Sequence, residues 1–139
     1  MDDYRAQAEA RIRGRLPDYL GMQVHEVTPR GAVLSMTFAH HLTMPYGVMH
    51  GGAIAALADT AAGLPVFAGL KEGETFTTAE MKLNLIRPVR EGTITAVSEV
   101  VHRGRRTAVC QTRVTNEEGA LVALFICTQV ILRDDPPRG

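Results

Sequence analysis

The sequence has no excess of charge of either sign, and this argues against a nucleic-acid-binding protein. Its 15 lysines and arginines are balanced by 15 aspartates and glutamates, whereas a domain that binds nucleic acid normally carries a basic excess or a basic face. Cysteine is also scarce. The two cysteines, Cys110 and Cys127, match neither a zinc-binding nor a redox-active CxxC spacing. We therefore expect two reduced, buried thiols in a reducing compartment.

The chain also lacks a recognisable leader or membrane segment. It begins Met-Asp-Asp-Tyr, without the cationic start and apolar core of a signal peptide. No run approaches the ~18 uninterrupted apolar residues of a membrane span. These absences predict a cytoplasmic protein with no membrane partner.

The length and the order of segments predict a single α+β domain. The 139 residues fit one domain, since domains most often have about 100–150 residues. A short helix is expected over residues 2–16, interrupted near Gly14 and stopped by Pro17. Short turns separate the last strands, which should therefore be antiparallel neighbours. The domain is predicted to span 1–133 and to be followed by a disordered polar tail, 134–139. The six expected strands cover residues 22–28, 32–38, 77–87, 92–102, 107–115 and 121–132.

An alanine-rich segment over residues 51–63 predicts one buried helix. Alanine is the best helix former, and a helix that is apolar on nearly every side is normally buried. Alanines would let the helix approach the sheet closely. Pro65 should end or kink this helix, because its ring clashes with the carbonyl four residues earlier.

Asp59 is the one charge in this helix and the strongest candidate for a functional residue. A buried carboxylate costs free energy unless it is paired or hydrogen-bonded, and such groups are often retained for function. A structural brace to a loop would explain Asp59 as well. Residues three and four positions away share its helix face. All of them are small, which leaves room for a ligand and favours a catalytic acid: Ala55, Ala56, Ala62 and Gly63.

His50, Gly51 and Gly52 begin the same helix, where a ligand could meet free backbone amides. The first N–H groups of a helix have no internal partners and lie at the positive end of its dipole, so they can hold a developing oxyanion. Asp59 lies about 12 Å further along the axis than Gly51. One carbonyl cannot contact both groups of one helix. An isologous dimer with antiparallel helices could instead place Gly51 of one copy near Asp59 of the other.

Residues 50–63 read HGGAIAALADTAAG and resemble the HGG…LADxAxG signature of hotdog-fold thioesterases, most closely the phenylacetate-pathway (PaaI-like) branch. The similarity covers about residues 20–132. It implies a hotdog fold, with a six-stranded antiparallel sheet wrapped around the helix, and dimers often paired into homotetramers. It also implies hydrolysis of an acyl-CoA to a free acid and CoA. Coenzyme A would be part of the substrate, so no cofactor is expected.

The resemblance implies roles for three catalytic residues. Asp59 corresponds to the family's acid, acting as a nucleophile or as general base for water. The Gly51 N–H corresponds to the amide that polarises the thioester carbonyl, and His50 shapes the loop. Aspartate rather than glutamate at this position resembles the pattern of the phenylacetyl-type branch. The chain departs from the family at Met44, where asparagine is common.

Other residues are candidates for binding the substrate. Arginine suits phosphate geometry, so arginines near residues 103–106 could contact CoA, although an exposed, solvated turn explains them as well. Apolar residues before and within the helix could line an acyl pocket, or could only fill the core. The histidines of residues 40–50 form no metal-ligand pattern with an acidic partner, and no metal site is expected. The candidates for substrate binding are Gly52, Thr60, Gly63, Met44, Tyr46, Arg105 and Arg106.

Two other functions stay open on the sequence. A hotdog dehydratase or hydratase would use a loop histidine as base, and residues 45–48 loosely resemble its loop, but its acid should lie nearer the helix start than Asp59. A non-catalytic acyl-CoA-binding module would not need an ionised carboxylate beside an open carbonyl site. Hydrolysis with release of a free thiol distinguishes the thioesterase from both.

Overall fold

The structure is a computed structural model that describes residues 3–134. Two short helices come first, α1 (Tyr4–Ile12) and α2 (Leu16–Tyr19). The long helix α3 (Gly51–Ala68) lies between the second and third strands. The six strands are β1 (Gln23–Thr28), β2 (Gly31–Thr37), β3 (Glu74–Leu85), β4 (Thr93–Arg103), β5 (Thr107–Thr115) and β6 (Leu121–Arg133).

All six strands form one antiparallel sheet in the order β1-β2-β4-β5-β6-β3. β3 directly follows α3 in the chain, yet it pairs with β6 at the far edge of the sheet. α3 packs against every strand. The predicted α+β hotdog fold is therefore confirmed, and each predicted strand is present with ends that differ by a few residues.

The core lies between α3 and the concave face of the sheet. On β5, every second side chain is buried, as expected for a strand with one buried face. The α3 residues facing the sheet are small or fully buried, including Leu57, Ala58 and Ala61 at 0% exposure. They pack in one cluster with residues such as Leu34 and Phe125. Each large side chain buried in this way contributes about 1.5–3 kcal/mol.

α3 does not end at Pro65; it continues to Ala68. Proline has no N–H to donate to the carbonyl four residues earlier, which here belongs to Ala61. The Ser98 hydroxyl from β4 donates to this carbonyl instead, at 2.5 Å, and accepts the Ala32 N–H at 3.1 Å. Pro65 was expected to end or kink the helix, and the first of these alternatives was wrong, because the sheet satisfies the carbonyl that the proline leaves without a donor.

The N-terminal segment forms two helices rather than one. Gly14 has φ +70°, a left-handed conformation that glycine adopts without steric cost, and its N–H donates to the Asp18 carboxylate. The prediction that Pro17 stops a helix was wrong. Pro17 lies in the first turn of α2, where its missing N–H is not needed.

The C-terminal end of the described chain is hydrogen-bonded to the rest of the domain. The Asp134 N–H donates to the Gly73 carbonyl at 3.4 Å, so the predicted disordered tail does not begin before residue 135. The rest of that tail, 135–139, lies outside the described residues. Within residues 3–134, α3 is the one helix long and apolar enough to cross a membrane, and 56% of it is buried in the core.

Candidate active site

Asp59 lies in the middle of α3, half-buried, on the face that meets β3. Its Oδ1 accepts a hydrogen bond from the Thr78 hydroxyl at 2.9 Å. The same hydroxyl lies 3.0 Å from Oε1 of Gln129, which is fully buried. Thr78 and Gln129 are direct cross-strand partners in the β3–β6 ladder. Strand pairing therefore fixes the group that orients the carboxylate.

The surroundings of Asp59 make it a stronger base than an exposed aspartate. Burial raises the pKa of its carboxyl above the ordinary value, and hydrogen bonds from Thr78 and Gln129 offset part of that rise. Desolvation disfavours the charged form, whereas donors to the carboxylate favour it. A carboxylate with a raised pKa takes a proton from water more readily.

A cavity of about 730 Å³ opens beside Asp59, within the size range of small-molecule sites. Thr60, Gly63 and Leu64 of α3 line one side of it, and Phe76 of β3 lines another. The Thr60 hydroxyl donates to the Ala56 carbonyl of the preceding turn. Space for a ligand on this helix face was predicted from the small residues around Asp59.

The N-terminal helices supply the remaining wall of this cavity. Gln7 and Arg11 of α1 line the cavity, together with Arg15 and Pro17 from the residues that follow α1. The sequence predicted a helix here but did not show its part in the site. The available signal was the spacing of residues 7 and 11, since side chains four apart share a helix face.

The start of α3 presents one free amide. The His50 ring caps the helix, with Nδ1 accepting the Gly52 N–H at 2.7 Å. Within residues 3–134, the half-buried Gly51 N–H has no hydrogen-bond partner. His50 therefore occupies the second amide, and the first has no partner within the described chain; the oxyanion role of Gly51 stays a prediction.

The glycines of this helix make close contacts inside the chain. A Cβ on Gly52 would lie 2.9 Å from His50 Nδ1, and one on Gly63 would lie 3.1 Å from the Phe76 ring. A Cβ on Gly51 would lie 2.7 Å from Leu85 Cδ1 of β3. Larger residues at these positions would disturb the cap, the cavity wall and the packing of the β3 end.

Comparison with known proteins identifies the family. A family model described as the thioesterase superfamily matches residues 46–123, more than half of the chain. ComA2 of Bacillus subtilis, whose name marks it as a proposed esterase, is 34% identical over 127 residues, 88% of this chain and 98% of that protein. The chain belongs to the thioesterase superfamily.

Two further relatives agree with this assignment. A 1,4-dihydroxy-2-naphthoyl-CoA hydrolase of Listeria monocytogenes is 26% identical to this thioesterase over 113 residues, 81% of this chain and 92% of that protein. The crystal structure of thioesterase HI1161 from Haemophilus influenzae matches it with a TM-score of 0.89 at 26% identity, covering 97% of this chain and 94% of that one. The predicted hotdog-fold thioester hydrolase is confirmed, while the PaaI-like branch stays a prediction.

The thioesterase brings only some of its predicted site residues together within one chain. Asp59, Thr60 and Gly63 share the cavity. The helix start lies about 12 Å from Asp59 along the axis, and no residue of it lines that cavity. Met44 is half-buried and Tyr46 is 84% exposed in the turn before α3. The predicted site residues that lie at the start of α3 or in the turn before it, outside the cavity, are His50, Gly51, Gly52, Met44 and Tyr46.

The predicted phosphate-binding arginines lie elsewhere in the thioesterase. Arg105 and Arg106 are exposed in the β4–β5 turn. Their neighbour Arg103 donates to the Gly69 carbonyl at 2.8 Å, where a cation is favoured by the C-terminal end of the α3 dipole. This contact places the turn near the C-terminal end of α3, and it leaves Arg105 and Arg106 for other partners.

The cysteines of the thioesterase lie behind the carboxylate. Cys110 and Cys127 are buried, free thiols on directly opposed positions of β5 and β6. The Gln129 amide donates to Cys127 Sγ at 3.4 Å, so this thiol helps to hold the residue behind Thr78. Among residues 3–134, no group of three histidine, cysteine, aspartate or glutamate side chains is arranged to hold a metal ion.

Proposed function

We propose that this thioesterase hydrolyses acyl-CoA to a free acid and CoA, with Asp59 as the reacting carboxylate. The observation that carries the proposal is a half-buried carboxylate with a raised pKa at the side of a ligand-sized cavity. In the described part of the chain, Asp59 is the only acidic residue lining that cavity.

Two routes use the same carboxylate. As general base, Asp59 takes a proton from water, the resulting hydroxide adds to the thioester carbonyl, and the CoA thiolate leaves and takes the proton back. As nucleophile, Asp59 displaces the CoA thiolate and forms a mixed anhydride, which water then hydrolyses. Both consume one water and release one acid and one thiol. Thr78 orients the carboxylate in either route.

A second copy of the chain would complete the site. The Gly51 N–H is free but about 12 Å from Asp59 along its own helix, so the oxyanion donor for one Asp59 would come from the partner, with His50 holding the loop. β3 offers the surface: it is an edge strand of 12 residues, and long unpaired edges favour strand pairing between chains. Its exposed Leu85, 54% accessible, lies against Gly51.

The remaining assignments extend this dimer. Arg105 and Arg106 would contact CoA phosphates, Gly52 would give clearance at the helix start, and Met44 and Tyr46 would border the partner's site. Thr60 and Gly63 would border the acyl group. We propose an aryl acyl group of the PaaI-like type, which the named substrate of the Listeria relative supports. The enzyme would be a cytoplasmic homodimer or homotetramer that needs no cofactor beyond its CoA substrate.

A free-thiol release assay over a panel of acyl-CoA thioesters tests the function. We expect turnover by the wild type and a loss of about 10²–10⁴-fold in Asp59→Asn, as is usual when a general base is removed. Glu118→Gln, which removes an exposed carboxylate from the β5–β6 turn, is the matched control and should keep full rate. Near-full activity in Asp59→Asn would exclude the assignment, and water loss from a hydroxyacyl thioester without hydrolysis would indicate a dehydratase.

A further inference from the structure

The wall of the cavity formed by the N-terminal helices carries two positive charges that no side chain neutralises. Arg11 and Arg15 both line the cavity and are exposed. Neither makes an ion pair or a hydrogen bond with any side chain between residues 3 and 134. The ion pairs found there join Arg5 to Glu9 and Arg133 to Glu74. The part of the cavity wall that this segment forms is therefore positive.

The Arg11 side chain lies over two aromatic rings. Its guanidinium carbon lies 4.6 Å from the centre of the Phe67 ring and 5.7 Å from that of Phe76. Stacking uses the flat face of a guanidinium and leaves the N–H donors at its edge for a planar acceptor. A carboxylate accepts two such N–H bonds side by side. The contact with the two rings therefore leaves N–H donors of Arg11 available to a carboxylate.

The position of Arg11 relative to Asp59 determines which part of a bound thioester could contact this arginine. Phe76 packs against Gly63, which lies one helical turn beyond Asp59, about 6 Å along the axis. Leu64 and Phe76 thus form an apolar part of the cavity wall between Asp59 and Arg11, along which an acyl group could extend. The phosphates of CoA are separated from the thioester by the long pantetheine arm and leave from the other side of the carbonyl.

We propose that this wall is an acyl-group subsite selective for thioesters whose acyl group ends in a carboxylate, with Arg11 as the specificity-determining residue. The proposal rests on thioester hydrolysis at Asp59. The apolar part of the acyl group would lie on Leu64 and Phe76, and its distal carboxylate would meet the edge of the Arg11 guanidinium. Arg15 would add a second positive charge at the mouth of the cavity.

Matched pairs of thioesters test the proposal. The first set is phenylacetyl-CoA with 4-carboxy, 4-carbamoyl or 4-hydroxy substituents; the second is adipoyl-CoA against hexanoyl-CoA. The carbamoyl group has the shape of the carboxylate without its charge. Because a hydrogen bond to a charged group contributes about 1.5–3 kcal/mol, we expect kcat/KM to favour the carboxylate by roughly tenfold or more in at least one set.

Variants of Arg11 separate recognition from packing. Arg11→Met keeps a long apolar stem, and it should bring the carboxylate-to-carbamoyl ratio close to one while the neutral thioesters keep their rates. Arg11→Lys keeps the charge without the planar fork and should retain part of the preference. Arg13→Met is the control, because Arg13 follows the same helix but does not line this cavity. Thermal melting confirms that each variant is folded.

The outcomes separate this inference from the function on which it rests. Turnover of neutral thioesters with no preference for a carboxylate in either set would overturn the inference alone. So would a stronger preference for the hydroxyl substituent, or a loss in Arg11→Met that is equal for every thioester, as expected if Arg11 bound CoA phosphates. Absence of turnover on every thioester would overturn the proposed function, and this inference with it.

Discussion

Replacing Thr78 by valine tests the link between the sheet and Asp59, the carboxylate that we propose as the reacting group. Valine has nearly the shape of threonine but cannot donate the hydrogen bond that reaches Asp59 Oδ1 at 2.9 Å. Hydrogen bonds to charged groups contribute about 1.5–3 kcal/mol. The cavity is open to solvent, so we take the lower end of this range, which corresponds to roughly a tenfold loss of kcat/KM at neutral pH.

The pH profile of this variant should move in a definite direction. The Thr78 hydrogen bond lowers the pKa of Asp59 against the larger effect of burial, which raises it. Loss of the donor leaves burial less opposed, so the pKa rises further. Activity needs the ionised carboxylate in either route, and the rising acid limb of kcat/KM should therefore shift to higher pH in Thr78→Val.

The same substitution should also cost stability. The Thr78 hydroxyl is the partner that the structure gives to Oε1 of Gln129, a side chain with 0% exposure. A buried polar group left without a partner costs about 1–3 kcal/mol, in either orientation of the amide. Chemical denaturation measures this loss. Thr78→Ser, which keeps the hydroxyl, is the control for both effects. An unchanged rate and an unshifted acid limb in a folded Thr78→Val enzyme would refute the reasoning.

Three further predictions follow from the structure. Asp59→Asn should increase the free energy of unfolding at neutral pH, because a carboxyl whose pKa is raised by burial destabilises the fold once ionised; the gain should disappear in acid, below the ordinary carboxyl pKa, and urea denaturation across pH checks it. Ser98→Ala should cost about 1–3 kcal/mol by leaving a helix carbonyl without a donor, and less in a Pro65→Ala background, where a backbone N–H is restored; an equal cost in both backgrounds would contradict the account of Pro65. Leu85→Lys should weaken dimers in light scattering whereas Leu16→Lys, at a 61% exposed position, should not; an unchanged mass for both variants would argue against the β3 edge as the interface.

Local sequence patterns were sufficient to predict most of the helices and strands. Short turns marked the limits of the strands, alanine content marked α3, and its single charge marked Asp59. Each of these features lies within one element or the turn beside it, whereas the hotdog fold itself was implied by the family resemblance. The pattern failed at Pro65, where the donor that rescues the helix comes from Ser98, 37 residues away from the carbonyl it serves.

The residues that hydrogen-bond Asp59, and those of α1 that line its cavity, could not be predicted for a similar reason. Thr78 and Gln129 are 51 residues apart, and they meet only because β3 pairs with β6 rather than with a strand next to it in sequence. The sequence around Arg11 predicted a helix but not the surface on which Arg11 packs. That surface is formed by Phe67 and Phe76, which belong to later elements. Contacts between distant segments depend on topology, which short-range periodicity does not encode.

Two different elements of the molecule carry the proposed reacting group and the proposed acyl-group subsite: α3 carries Asp59, and α1 carries Arg11. Asp59 is carried by a helix whose backbone carbonyls are bonded to Ser98 and Thr112 of the sheet, so the chemical group cannot be moved without disturbing the core. Part of the cavity wall comes from α1 and the residues after it, which contribute no strand. We therefore expect that exchange of this segment between homologues would change the proposed preference for one acid over another and leave the proposed reacting group in place.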